Sequence, residues 1–124
     1  MSRLDPRQAR GRAAEEAAAE LLVRAGFRIV ARNVRIVGAE IDLVAEDGDE
    51  LVFVEVRSRS SARFGGPLAT VSRVKQSRIA RAAQAYLARS ERAGSPARFD
   101  VVGVEWCDGC ARCVHVRGAF ESPW

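Results

Sequence analysis

No uninterrupted apolar stretch in the 124-residue sequence approaches the roughly 18 to 20 residues that a membrane-spanning helix needs. The opening MSRLDPRQARGRAAEE also lacks the apolar core of a secretory signal, so a cytoplasmic location is expected. Cysteine is scarce. Its three copies crowd into CDGCARC, an odd and local set that excludes the spread, even framework of a secreted disulfide scaffold. Internal repeats, linkers and low-complexity tracts are missing, and the length suits one compact domain over residues 1–124.

Hydrophobic residues make up 48% and charged residues 29%, values that exclude a chain too polar to fold. Twenty Lys plus Arg against 16 Asp plus Glu leave a net charge of +4, which suits a polyanionic partner and equally suits plain solubility.

From Gln8 to Ala25 the chain is rich in Ala, Leu, Glu and Arg, with Ala14, Ala17, Ala18, Leu21 and Leu22 at helical spacing. Gly26 is expected to close this helix in the left-handed conformation, and FRIVARNV reads as a first strand. Next comes GAEIDLVAEDGDELVFVEVRSR, two strands joined at Asp47-Gly48, a dipeptide suited to a type I′ turn. SSARFGGPLATVS then reads as a mobile loop. Residues 72 to 92 form a second expected helix with Val74, Ile79, Ala82, Ala83, Tyr86 and Leu87 on its buried stripe, and with Lys75, Arg78 and Arg81 as a basic ridge. RFDVVGVEW and CVHVRGAF read as two further strands.

The hairpin carries charges well inside its strands. With Glu46 opposite Asp49, Glu40 falls opposite Glu55 and Asp42 opposite Phe53, and alternation adds Arg57 to the same face. Any even loop keeps these residues together, and a four-residue loop would set Asp42 directly across from Glu55. The other face offers Ile41, Leu43, Ala45, Val52, Val54 and Val56 to a covering helix. With both faces covered, an α/β sandwich is expected.

Carboxylates gathered on one face repel each other and resist desolvation unless a positive charge sits among them. Two solutions stay open. Arg57 could neutralise them as a structural ion cluster, or a divalent cation such as Mg²⁺ could be held by carboxylate oxygens and keep its remaining positions for water and phosphate. The second arrangement is the one that phosphodiester hydrolysis uses.

GRAAEEAA, EIDLVA, LVFVEVRSR, FGGPLATVSRVKQSRIARAAQAYL and RFDVVGVE together resemble the UPF0102 family, also called YraN-like proteins, over residues 11 to about 105. That family resembles the PD-(D/E)xK nucleases and the archaeal Holliday junction resolvases. The resemblance implies a restriction-endonuclease-like α/β core of αβββαβ order, with a central mixed sheet flanked by helices. It implies Mg²⁺ or Mn²⁺ as cofactor, branched or structured DNA as partner, and a homodimer, since resolvases cut two strands. Position by position, it gives Asp42 and Glu55 the motif's acidic roles and Glu15 that of an additional metal-holding carboxylate, with Glu40 beside them as a supporting one. Arg57 stands where the motif usually has lysine, so it can orient and stabilise charge but not give up its proton. Lys75, with Arg73 and Arg78, is expected to reach phosphates, and Asp100 to hold Arg98. The competing expectation is a non-catalytic nucleic-acid-binding or partner-binding protein that keeps the nuclease fold, its carboxylates neutralised by Arg57.

Cys107, Cys110, Cys113 and His115 offer four soft ligands, but zinc sites normally draw ligand pairs from two separate segments. Free thiols are favoured over zinc here.

Overall fold

The computed structural model describes residues 6–60 and 71–121. Its elements run α1 (Pro6–Arg24), β1 (Arg28–Ile36), β2 (Ala39–Asp47), β3 (Glu50–Ser60), α2 (Arg73–Arg89), β4 (Ala97–Cys107) and β5 (Cys110–Phe120). The αβββαβ order is present and is followed by one more strand. All five strands join one sheet in sequence order; β3 and β4 pair parallel, with α2 between them in the chain, and the other neighbours pair antiparallel. Of the expected mobile loop, residues 61–70 lie outside the described residues.

A helix covers each face of this sheet. Ala14, Ala18, Ala19 and Leu22 of α1 pack on Leu43, Ala45, Val52, Val54, Val102 and Val104. Small alanines let the helix backbone lie close to the β-branched residues beneath it. On the opposite face Ile79, Ala80, Ala82 and Ala83 of α2 meet Ile36, Ile41, Val44, Leu51, Phe53, Phe99 and Val101. Val74, expected in that buried stripe, is 63% exposed, because it sits in the first turn of α2, beyond the sheet's apolar surface. Gly26 has the expected positive φ, 96°, two residues after the end of α1.

The β2–β3 hairpin departs from its expected register. Asp47 pairs with Glu50 across Gly48-Asp49, so the turn sits one residue later than expected. Gly48 then takes the first central position with φ 61°, while Asp49 keeps a negative φ, as in a type II′ turn. Arg98 favours this register, since its Nη1 donates at 2.8 Å to both Asp47 Oδ2 and Glu50 Oε1 and so bridges two like charges that face each other. The consequence lies at the other end of the hairpin: Asp42, not Glu40, stands across from Glu55. A turn with two positive φ values does occur, but between β1 and β2, at Val37 (54°) and Gly38 (71°).

Period-two alternation also fails at one point. Ile41 joins the α2 core although Leu43 and Ala45 join the α1 core. The β2–β3 ladder ends at Leu43–Val54, and beyond it the Val56 N–H donates to Asp42 Oδ2 at 2.7 Å. A side chain thus replaces a ladder bond, the strands part, and Ile41 turns to the other side.

Candidate functional site

The parting of β2 and β3 opens a notch in the sheet, and carboxylates fill it. Glu40 and Asp42 of β2 and Glu15 of α1 each offer an oxygen within 4.8 Å of the others. Glu55, on β3, is 5% exposed and hydrogen-bonds with Asp42. Burial and the neighbouring Glu55 charge push the Asp42 carboxyl up to about 8. Glu15 is also raised, first by burial, with the Asn33 hydrogen bond opposing and the Glu40 charge adding to the rise. With its amide nitrogen turned toward α1, Asn33 donates to both Glu15 oxygens at 3.1 Å. Its φ of 52° suits Asn better than most residues, but no pattern in the sequence marked this residue of β1.

The pairing of Arg57 with these carboxylates, one of the two solutions left open by the sequence, does not occur among the described residues. Its side chain is exposed and has no ion-pair partner among the described residues. Two other cations reach the site: Arg35 Nε donates to Glu40 Oε2 at 3.1 Å from the neighbouring strand β1, and from the opposite wall Lys75 Nζ lies 3.2 Å from Glu55 Oε1. Ser72 Oγ accepts from the Lys75 backbone N–H at 3.2 Å, capping α2 and fixing Lys75 in its first turn. Lys75 and Arg78 form one side of a cleft of about 480 Å³, with Glu40, Asp42 and Glu55 on the other. Arg73 is exposed and does not line it. A second cavity of about 390 Å³, lined by Arg12, Glu15, Asn33 and Arg35, shares Glu40 with the first. Glu16, the neighbour of Glu15, points elsewhere and pairs with Arg32 at 2.8 Å.

The donor set fits a hard cation. Its ligands are carboxylate oxygens alone, and their mutual repulsion is the kind that a divalent ion with a preference for oxygen relieves. In the metal-free protein the Asp42 proton is retained up to about pH 8, whereas an ordinary Asp releases it near 3.8. The stability linked to this group is therefore fully present below the ordinary value and is lost as pH rises through 8. Asp42→Asn keeps an acceptor for Val56 and supplies Glu55 with a permanent donor. It is expected to flatten that slope and add roughly 1–2 kcal/mol at about pH 9. Urea unfolding of both proteins across this range checks it, and an unchanged slope would exclude Asp42 as the responsible group.

The cysteine-rich turn does not assemble a metal site among the described residues. Cys107 and Cys110 face each other across Asp108-Gly109, whereas Cys113 lies three residues further on and packs on the α1 side of the sheet. An odd spacing along a strand sends two side chains to opposite faces. His115 is engaged elsewhere, with Nε2 2.8 Å from Asp100 Oδ2.

Residues 14–104 match the model of the uncharacterised protein family UPF0102. The chain belongs to this family. A UPF0102 protein of Symbiobacterium thermophilum is 51% identical over 113 residues, covering 90% of this chain and 96% of that one. Another, from Bordetella avium, is 50% identical over 121 residues, covering 98% and 81%. Among solved structures, Pyrococcus furiosus SfsA in complex with Ca²⁺ aligns with a TM-score of 0.41 and 16% identity over 89% of this chain, which spans 63% of that protein. The family match includes Glu15, the notch carboxylates and the start of α2, and it stops before the cysteine-rich turn. No helix among the described residues is long and apolar enough to cross a membrane.

Proposed function

We propose that this protein is a divalent-metal-dependent endonuclease of restriction-endonuclease-like fold that hydrolyses phosphodiester bonds in branched or structured DNA. One observation carries the reading: a cleft whose β-sheet wall bears clustered carboxylates faces Lys75 and Arg78 on a helix wall. Such a cleft has a negative side for a metal and a positive side for a phosphate. The family's resemblance to PD-(D/E)xK nucleases agrees with it.

Glu15, Asp42 and Glu40 would hold Mg²⁺ or Mn²⁺, with Glu55 beside them. The bound ion would polarise the phosphoryl oxygen and lower the pKa of water, which is the chemistry a site without a free base needs. The residues of the chain then have separate tasks. Glu55, buried and bonded to Asp42, orients the carboxylates. Arg78 takes a non-bridging phosphate oxygen at the cleft, and the exposed Arg57 and Arg73 reach flanking phosphates, contributing salt-sensitive affinity without base readout. Paired cuts in a four-way junction call for a homodimer, and the free thiols suit a reducing cytoplasm.

A second reading, a nucleic-acid-binding protein without catalysis, is favoured by the counter-ion that Glu55 already has in Lys75. Cleavage of linear, flap and four-way DNA with Mn²⁺, beside calorimetric Mn²⁺ titration, separates the two. The nuclease reading expects binding heat and cutting of branched substrates that Glu55→Ala reduces. Absence of Mn²⁺ binding, or equal cutting by the variant, leaves the non-catalytic reading in place.

A further inference from the structure

Lys75 and Glu55 are an unequal pair. The Glu55 side chain is 5% exposed, the Lys75 side chain 45%, and their contact of 3.2 Å bridges the two walls of a cleft of about 480 Å³. A buried carboxylate needs a counter-ion, but a half-exposed lysine on a flexible four-carbon stem does not need this carboxylate. Arg57 does not take its place here, being exposed and without an ion-pair partner among the described residues.

We propose that Lys75 exchanges partners, and that this exchange couples metal binding to DNA binding. The inference rests on the metal-dependent nuclease reading of the same cleft. Without metal, the ammonium serves as counter-ion to Glu55 and is withheld from substrate. When a divalent cation joins the carboxylates, its two charges replace that of Lys75 and repel it. The side chain then swings back to its own wall of the cleft, to a DNA phosphate beside Arg78. Because Ser72 caps the first turn of α2, the Lys75 backbone stays fixed and only the side chain has to move. Coupling of this kind is reciprocal, so DNA must tighten metal binding by the same factor.

The test uses Ca²⁺ as the metal and a fluorescent four-way DNA junction as the ligand, with wild type, Lys75→Met, and Lys75→Gln as a milder variant that keeps a donor toward Glu55. Without metal, junction affinity is expected to be the same in all three. With saturating Ca²⁺, the wild type is expected to tighten, and each variant to bind about 5-fold or more weaker than it. Ca²⁺ affinity in the absence of DNA should rise in Lys75→Met, since a competing charge is gone. Equal weakening of DNA binding with and without Ca²⁺ would mark Lys75 as a plain phosphate contact and overturn the exchange. Unchanged DNA binding under both conditions would mark a purely structural pair and overturn it as well. A wild type that binds no Ca²⁺, Mn²⁺ or Mg²⁺ overturns the nuclease reading together with the exchange, so the two failures are told apart.

Discussion

Asp100→Ala is expected to destabilise the protein by roughly 3 kcal/mol, lowering the melting temperature by about 10 °C. Asp100 is fully buried on β4, and both of its oxygens are engaged. Arg98 Nε donates to Oδ1 at 2.9 Å and Nη2 to Oδ2 at 3.2 Å; His115 Nε2 lies 2.8 Å from Oδ2, and the Gly118 N–H donates to Oδ1 at 3.0 Å. Burial alone would raise this carboxyl, but the bonds from His115, Arg98 and Gly118 outweigh it and hold it below the ordinary Asp value. Its contribution is therefore present above 3.8 and is lost as pH falls through the lowered value. The loss sits at the lower end of the roughly 3–5 kcal/mol typical for a broken buried pair, because Arg98 keeps Asp47 and Glu50. The orphaned His115 and Gly118 N–H on β5 set the remaining cost. Thermal unfolding at neutral pH checks it, and a variant as stable as the wild type would mean that water satisfies the network. The same residues tie β4, β5 and the hairpin turn together, and Arg98 and Arg117 also lie over the Phe27 ring at 5.3 and 5.1 Å. The network thus sets the hairpin register, and through it the position of Asp42 against Glu55.

Asp42→Ala is expected to reduce Mn²⁺ affinity by at least about 100-fold, the upper end of what loss of a ligand's supporting partner costs. Cleavage should fall with it. Asp42 lies within ligand distance of Glu15 and Glu40, hydrogen-bonds with Glu55 and anchors the parted strand at Val56. Removing the carboxylate takes away one of the three clustered oxygens that could hold a metal. It also leaves the Val56 N–H to water, so some loosening of the notch is expected beyond the lost charge. Asp42→Asn, which keeps that bond, should lose metal affinity while keeping the fold. Calorimetry on both variants distinguishes a lost ligand from a collapsed notch, and full Mn²⁺ affinity in Asp42→Asn would remove Asp42 from the ligand set.

Several features were legible because they depend on local chemistry. The Ala-rich stripe of α1, the alternating hydrophobics of β2 and β3 and the positive φ at Gly26 follow from residue type and spacing. The convergence of Asp42 and Glu55 was legible too, since any even loop preserves their shared face. The register was not. Both type I′ and type II′ turns accept a glycine at position 48, and the choice between them is made by Arg98, from a strand much further along the chain.

The sequence by itself determined the element types, the two buried faces and the set of acidic residues available to a metal, because side-chain periodicity and backbone preference act over a few residues. Tertiary structure alone decided which cation meets Glu55. Arg57 was the candidate by proximity in sequence, two residues from Glu55. It lies exposed, while Lys75 reaches Glu55 from a different element because Ser72 caps α2 above the notch. An ion pair forms where two side chains end, and the ends of long side chains are placed by how a helix packs on a sheet, which no local pattern records.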